Sequence, residues 1–441
     1  MTVAAAGRRT PASTVAAQAL FRVSPHVILG GYALLLALPQ NNVLVGGGGG
    51  ITPARVVAGG CLLWWLVARF AGGFKLAVGL NPVRRALLLA LGLFAAADAI
   101  AFIGGVQDSR ISNADRGAML FVLAVGAALL VCDGLSSTRA LRAVFAGAVV
   151  GFTCSAVAAI AQFGTGLDLR KLTVFPGLSA QPLGDLALGR GGLERSIGFA
   201  GHPIELAATT VAMLPLALHL ARYGRFKPLW WTCAVLLIGG PLVSISRTGL
   251  LGLVVIGVFL LPRYGLVRWL LVAGLLSSAV FAAGVIWPRL LDVLINTVAG
   301  SSKDSSIWSR LTKYDYVWSH FLAKPLGGQG LGTYVAPVQP YLDNQYLLTT
   351  VESGLPGLVG FVVLLVVPLW WAFRLWRSRT IESPPQVRDA AWAVAVALLV
   401  CTLSFGTYDG LAFPQMAGIS LLLVGCAGAL YRIARRTEVA A

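Results

Sequence analysis

The sequence predicts an all-α, polytopic integral membrane protein, with about twelve transmembrane helices and a large extracytoplasmic loop that carries short helices. The first observation is composition: 57% of the 441 residues are hydrophobic and only 12% are charged, whereas soluble proteins carry about 25% charged residues. The mean hydropathy is accordingly high, at +0.80. The second observation is that apolar residues form long runs, and the third is that Lys and Arg concentrate in alternate loops. Together they exclude an ordinary soluble domain.

The apolar runs define the predicted spans and, with them, the domain organisation. A basic tail at 1–25 and a short tail at 433–441 are predicted to be cytosolic, and they flank one membrane domain at 26–432. Within it, 164–202 and 288–342 are the predicted extracytoplasmic loops. The spans are placed at 26–45, 54–71, 86–104, 117–132, 141–163, 203–221, 228–243, 248–262, 267–287, 345–373, 390–406 and 409–430.

The formal net charge of +17 is assigned to topology rather than to a nucleic-acid partner. The excess of Lys and Arg falls in the segments that this span order makes cytosolic, as the positive-inside rule expects. The six cysteines lie in or beside apolar runs without a CxxC pair, which favours small buried hydrophobes over zinc or disulfides. No metal, cofactor or nucleotide site is predicted.

The most informative stretch runs from Leu229 to Leu261, where apolar residues are interrupted by Ser244-Ile-Ser-Arg247. Two spans of about 16 residues, or roughly 24 Å each, are short for a hydrocarbon core of about 30 Å. The turn is therefore predicted to be recessed, in protein or beside a watery cavity. Arg247 would then be functional, because charge inside a membrane is costly. The alternative is that it extends to an ordinary interface.

The second long loop is predicted to contain an amphipathic helix at 306–321, with Trp, Leu and Tyr at helical spacing. Gly327-Gly-Gln-Gly-Leu-Gly332 follows it. No strand precedes this run, so a flexible turn is favoured over a nucleotide loop. Asp98, near the outer end of the third span, is expected to hydrogen-bond locally.

Polar residues also collect where the sixth and tenth spans begin. His202 and Glu205 could share a helical face as a metal pair, but a capping His and a Glu bonded to a neighbouring helix are favoured. Asp343 has two interpretations, an N-cap or a catalytic acid, and Glu352 needs a partner because it lies about two turns inside a span. These polar elements converge with Arg195, Arg247 and Arg310 on the outer face. Three guanidiniums and a carboxylate suit a dianionic head group such as pyrophosphate.

With these residues assembled, the chain resembles the O-antigen ligase and O-antigen polymerase superfamily of bacterial membrane glycosyltransferases. Three ordered patterns carry the resemblance over about residues 190–360. They are Arg195-Ser-Ile-Gly-Phe-Ala-Gly-His-Pro-Ile-Glu205 leading into Leu214-Pro-Leu-Ala217; Ser246-Arg-Thr-Gly249; and Arg310 followed by Pro325-Leu-Gly-Gly-Gln-Gly-Leu-Gly332, Asp343-Asn-Gln-Tyr-Leu347 and Glu352-Ser-Gly-Leu-Pro-Gly357. Ligases usually have His-Asn where this chain has Asp343-Asn344, and Asp there is more similar to polymerase-type members.

The resemblance implies metal-independent transfer of a glycan from an isoprenoid-diphosphate carrier to an acceptor hydroxyl. The implied location is the bacterial plasma (inner) membrane, with both termini cytosolic and the active face extracytoplasmic. The implied partners are a lipid-diphosphate-linked oligosaccharide donor, a glycan or glycolipid acceptor and membrane lipid. The predicted catalytic residues are Arg247, Arg310 and Asp343. The predicted substrate-binding residues are Arg195, His202, Asn344, Gln345, Tyr346 and Glu352. The alternative is a non-enzymatic flippase or transporter of a lipid-linked anionic glycan, although the sequence has no repeat typical of transporters.

Overall fold

The computed structural model describes residues 25–40, 42–44, 51–70, 79–171, 173–174, 176–180, 189–190, 192–299, 305–378 and 383–440. Within these ranges the chain is almost entirely helical. The helices are α1 (Pro25–Leu35), α2 (Pro53–Phe70), α3 (Pro82–Ile103), α4 (Asp108–Gly134), α5 (Thr138–Thr165), α6 (Pro203–Tyr223), α7 (Lys227–Val243), α8 (Arg247–Ile286), α9 (Pro288–Ala299), α10 (Ser305–Ala323), α11 (Gln345–Arg377), α12 (Pro385–Ser404) and α13 (Pro414–Ala440).

Seven of the described helices are long and apolar enough to cross a membrane: α3, α4, α5, α6, α11, α12 and the 414–435 part of α13. Three more apolar helices are shorter, namely Pro25–Leu35, Lys227–Val243 and Arg247–Leu261. The protein is therefore a multi-helix membrane protein, as predicted. A total of twelve spans stays a prediction.

The predicted interruption between two short helices is confirmed. α7 has 17 residues and ends at Val243, and α8 begins at Arg247. Between them Ile245 has a φ of 48°, a left-handed value that β-branched residues rarely adopt. α8 is itself broken at Gly265, where φ is 74°. This break separates the span predicted at 248–262 from the one predicted at 267–287.

The helices approach one another closely because small residues line their contacts. A Cβ on Gly147 of α5 would lie 2.1 Å from the carbonyl oxygen of Gly30 on α1. α6 is enclosed along almost its whole length, and so is α12. Both helices therefore form the centre of the bundle, and residues at the ends of α6 mark its two faces.

Buried charges are paired at the end of the bundle that contains the C-terminus of α6. His219 Nδ1 lies 2.7 Å from Asp389 Oδ2, and Arg263 Nη2 lies 2.9 Å from Asp389 Oδ1. A further buried pair joins α3 to α4, where Arg84 Nη1 lies 3.0 Å from Asp133 Oδ1. The pairs around Asp389 join helices that are far apart in the chain.

The opposite end of the bundle carries the segments that connect the helices in the predicted outer loops. Strand β1 (Asn42–Leu44) pairs antiparallel with β2 (Leu178–Ala180), and β3 (Gly189–Arg190) forms a hairpin with β4 (Leu193–Glu194). The amphipathic helix predicted at 306–321 is confirmed as α10. The first loop delivers its chain to His202 at the start of α6, so the candidate residues gather at this end.

Candidate active site at one end of the helix bundle

The turn between α7 and α8 is held by two guanidinium groups. Arg195 Nε donates to the Ser244 carbonyl at 2.8 Å, and Arg190 Nη1 donates to the Ile245 carbonyl at 2.9 Å. These bonds satisfy carbonyls that the helix break leaves without helical partners. Burial, together with repulsion from Arg190, lowers the pKa of Arg195 to about 10, so it stays charged at neutral pH. Positive charge is thus concentrated directly beside the turn that leads to Arg247.

His202 lies between this positive charge and Asp343. Its Nδ1 accepts a hydrogen bond from the Ile204 amide at 3.2 Å and caps α6, which confirms the predicted capping role. Burial, and to a smaller extent the charge of Arg195, lowers the pKa of His202 to about 4, although Asp343 opposes the shift. The imidazole is therefore neutral at physiological pH.

Glu205 is fully buried and fastens three segments together. Its Oε1 accepts from Gln40 Nε2 at 2.7 Å and from the amides of Gln415 and Met416 at 2.9 and 3.3 Å. Its Oε2 accepts from the Gly201 amide at 2.9 Å. The predicted bond to a neighbouring helix is confirmed, since the carboxylate lies at the N-terminus of α13, where negative charge is favoured. These partners, rather than His202, surround the carboxylate.

Asp343 does not cap α11, and that interpretation is wrong. Asn344 is the N-cap, and its Oδ1 accepts from the amides of Tyr346 and Leu347 at 2.9 and 3.3 Å. Asp343 has a φ of 49°, a conformation that Asp tolerates better than most residues. Its Oδ2 lies 3.2 Å from Lys313 Nζ, and 43% of the side chain is exposed.

Lys313 brings α10 to the candidate site. Arg310 lies three residues before Lys313 on the same helix, and residues at that spacing share a face. The side chain of Arg310 falls outside the described residues. The salt bridge between Lys313 and Asp343 nevertheless holds one turn of α10, the turn directly after Arg310, against the start of α11.

The residues after Asp343 fasten α11 to the last turn of α12 and to the connection between α12 and α13, residues 405–413. Asn344 Nδ2 donates to the Gly406 carbonyl at 3.3 Å. Gln345 Oε1 accepts from the Leu411 amide at 2.8 Å, and the Tyr346 hydroxyl donates to the Thr402 carbonyl at 2.9 Å. A role for these three residues in substrate binding stays a prediction.

Glu352 finds its partner in the glycine-rich turn that follows α10. Its Oε1 accepts from the Tyr334 amide at 3.1 Å, and its carbonyl accepts from the Gly330 amide at 2.8 Å. Gly328 has a φ of 63°, and a Cβ there would lie 2.4 Å from the carbonyl carbon of Glu352. The turn therefore needs glycine for close approach of two backbones, as the sequence predicted.

The 405–413 connection is where the candidate residues meet. Thr407 Oγ1 lies 2.7 Å from Thr248 Oγ1, in the residue after Arg247. The ring of Phe413 lies 5.9 Å from that of His202, and Gly406 binds Asn344, the residue after Asp343. The starts of α6, α8 and α11 therefore border one short segment, although they lie far apart in the sequence.

Residues 232–362 match the family model described as O-antigen ligase. This segment of the chain is similar to the O-antigen ligase family. No curated protein matches the chain significantly. The family match confirms the resemblance and indicates glycan transfer by a membrane glycosyltransferase, with a lipid-linked glycan donor and a glycan acceptor in general terms.

The matched segment contains Arg247, Arg310, Asp343 and Glu352, whereas Arg195 and His202 precede it. The geometry adds Asp409, which the sequence interpretation missed because it placed this residue at the start of the last span. Burial raises the pKa of Asp409, and the nearby charge of Asp343 raises it further while Lys313 opposes. An acid in a short connection between two spans is the sequence signal that marks it.

Proposed function

We propose that this protein transfers a glycan from an isoprenoid-diphosphate carrier to an acceptor hydroxyl at the outer face of the plasma membrane. The acceptor oxygen attacks the anomeric carbon of the donor sugar, and the bond from that carbon to the diphosphate oxygen breaks. The hydroxyl proton passes to a carboxylate, and the lipid diphosphate leaves. The observation that carries the proposal is the meeting of the Arg247, Asp343 and His202 segments at the 405–413 connection.

Arg247 binds the diphosphate and stabilises the charge that develops on it as the sugar departs. Arg195 and Arg310 assist. A rigid guanidinium fork matches two phosphate oxygens. The place of Arg247 as the first residue of α8 supports this role, because amide groups at a helix N-terminus also favour an anion.

Asp343 is the candidate base that receives the acceptor proton. Its partly exposed carboxylate is held in place by Lys313, which supports a position open to an incoming hydroxyl. A general base must lie within hydrogen-bond reach of the proton that it removes. Energy for the transfer comes from the donor, because nucleoside triphosphates are absent outside the cytoplasm.

The proposed topology places both termini in the cytosol and the 164–202 and 288–342 loops outside. It rests on the distribution of Lys and Arg. The buried pairs around Asp389 then face the cytosol, and the Asp343 end faces out.

The decisive experiment is transfer of a purified lipid-diphosphate oligosaccharide by the purified protein in detergent with EDTA present. We expect transfer that EDTA does not affect and that Arg247→Ala abolishes. A product ladder of repeating size indicates a polymerase, and a single addition to a different acceptor indicates a ligase. Movement of the donor across vesicle membranes without transfer would contradict the proposal and favour a transporter.

A further inference from the structure

Helix α10 exposes an apolar line of side chains and, beside it, a polar line. Tyr314, Trp318 and Leu322 follow one another at intervals of four residues, and they are 50%, 60% and 59% exposed. Residues at that spacing lie above one another on a helix. The neighbouring line contains Asp315 and Ser319, which are also exposed. Water therefore suits one part of the exposed surface of α10 and not the other.

The remaining side of α10 packs against protein, and this packing decides which lines face outwards. Val317 is buried in a cluster with Leu348 and Val351 of α11. The Tyr316 hydroxyl accepts a hydrogen bond from Gln339 Nε2 at 3.2 Å. The helix therefore cannot turn about its axis to cover the apolar line, because it would lose these contacts.

The chain directly after α10 is fastened to two membrane-spanning helices. The Pro325 carbonyl accepts from the Leu355 amide of α11 at 2.8 Å. A Cβ on Gly327 would lie 2.7 Å from the backbone nitrogen of Ala101 on α3, so the two backbones touch. Leu326 lies between these two contacts and is exposed. The C-terminal end of α10 is therefore held directly beside both spans.

Both contacts lie at the level where the hydrocarbon core of a membrane ends. About 20 helical residues cross such a core. Counting that many residues back from Arg374, in the last turn of α11, ends near Leu355. Counting forward from Arg85, in the first turn of α3, ends near Ile103. Leu355 and Ile103 are themselves exposed apolar residues. The apolar line of α10 therefore continues the exposed apolar surface of α3 and α11 at the membrane boundary.

We propose that α10 lies in the membrane interface beside the candidate active site, with Tyr314, Trp318 and Leu322 in lipid and with Asp315 and Ser319 in water. A helix of this kind places its apolar face about 5–10 Å into the boundary between headgroups and acyl chains. Trp and Tyr are the aromatic residues that such interfaces favour. The partner of this surface is the lipid bilayer, rather than a second copy of the chain or a glycan.

The bilayer then helps to position the candidate active site. Lys313 of the same helix lies 3.2 Å from Asp343, and Arg310 lies one turn earlier. Lipid along one line and the contacts with α11 on another side together fix the height of α10 at the membrane surface. This consequence for transfer rests on the proposed function, whereas the position of α10 does not.

Nitroxide labels on single cysteines test this position in the full-length, otherwise cysteine-free protein. Trp318→Cys and Leu322→Cys probe the apolar line, and Asp315→Cys and Ser319→Cys are matched controls on the same helix. Each protein is placed in nanodiscs of phosphatidylethanolamine and phosphatidylglycerol, with one copy per disc. Power-saturation EPR compares collisions with oxygen, which concentrates in lipid, and with nickel-EDDA, which stays in water. We expect the oxygen-to-nickel ratio to be roughly fivefold higher on the apolar line.

Leu322→Glu supplies a second test, because it places a carboxylate on the line that faces lipid. A label at Trp318→Cys should lose most of its excess oxygen access in Leu322→Glu. It should keep that access in Ser319→Glu, the matched control on the polar line. Under the proposed function, transfer should fall severalfold in Leu322→Glu and stay near that of the wild type in Ser319→Glu.

Two results would overturn the proposal. Equal nickel access on both lines would place Trp318 and Leu322 in water, and low access of both reagents on the apolar line would mean that protein covers it. The proposed function fails separately, if the expected access pattern is found but no sugar is transferred from a lipid-diphosphate donor. Transfer by a protein whose apolar line lies in water would refute the membrane position and leave the proposed function standing.

Discussion

Replacing Glu205 is expected to destabilise the candidate site by an amount that depends on the atoms removed. In Glu205→Ala the three backbone donors of Gly201, Gln415 and Met416 lose their acceptor, and so does the side chain of Gln40. Each buried donor left without a partner costs about 1–3 kcal/mol. The Gln40 side chain can turn elsewhere, so the three amides set a loss of roughly 3–9 kcal/mol.

Glu205→Gln should cost much less. Its oxygen can replace Oε1 and keep the bonds from Gln40, Gln415 and Met416, while its NH₂ group faces the Gly201 amide. One acceptor is lost, which corresponds to about 1–3 kcal/mol. We therefore expect the alanine variant to lose roughly three times as much unfolding free energy as the glutamine variant.

The assay is thermal unfolding of purified protein in detergent, with transfer activity measured on the same samples. Glu194→Ala is the control because that carboxylate is exposed. The expected order of Tm is wild type, then Glu205→Gln, then Glu205→Ala, with activity falling in the same order. Equal Tm values for the two variants would refute the reasoning, since they would mean that the amides do not depend on this carboxylate.

The remaining predictions concern chemistry, pH and topology. Arg247→Lys should lower transfer by about 10²–10³-fold, nearly as much as Arg247→Ala, because an ammonium cannot bind two phosphate oxygens in parallel; unchanged activity per folded molecule would indicate a structural role. If Asp343 is the base, Asp343→Asn should fold normally yet lower turnover by roughly 10²–10⁴-fold. Normal turnover in Asp343→Asn, together with lost turnover in Asp409→Asn, would assign the base to Asp409. The pKa of His202 is about 4 in the folded protein, against an ordinary value of 6.5. Between these two pH values the imidazole is protonated in the unfolded chain but neutral in the folded protein. The free energy of unfolding should therefore fall by about 3 kcal/mol as the pH drops from 6.5 to 4. His202→Asn, which retains a cap, should remove this component in pH-dependent unfolding. Val338→Cys in a cysteine-free background should react with an impermeant thiol reagent in intact cells, and reaction only after permeabilisation would invert the topology.

Features that depend on local sequence were predictable. Ser244-Ile-Ser-Arg247 interrupts an apolar run, so the break between α7 and α8 could be placed from composition alone. The amphipathic spacing at 306–321 likewise predicts α10, because helical periodicity is a property of neighbouring residues. The capping role of His202 is predictable because its signal, a polar residue before Pro at a helix start, lies within a few positions.

Features that depend on distant contacts were not predictable. Asp343 and Asn344 are both good caps, and the choice between them follows from the left-handed φ of Asp343 and from the bond between Asn344 and Gly406, 62 residues away. The expectation that Asp98 bonds locally is wrong, because its Oδ1 accepts from the Leu331 amide, 233 residues along the chain. No local pattern encodes such a partner.

The charge pairs at the far end of the bundle have a consequence for biosynthesis. α6 leaves the ribosome 170 residues before the Asp389 that its His219 contacts, and Arg263 also precedes that partner. A buried charge without its partner costs several kcal/mol. Insertion intermediates that lack α12 therefore expose unsatisfied polar groups to lipid or to the membrane insertion machinery. Arrival of α12 closes the bundle, and nascent chains truncated before Pro385 should be substrates for membrane proteases rather than stable fragments.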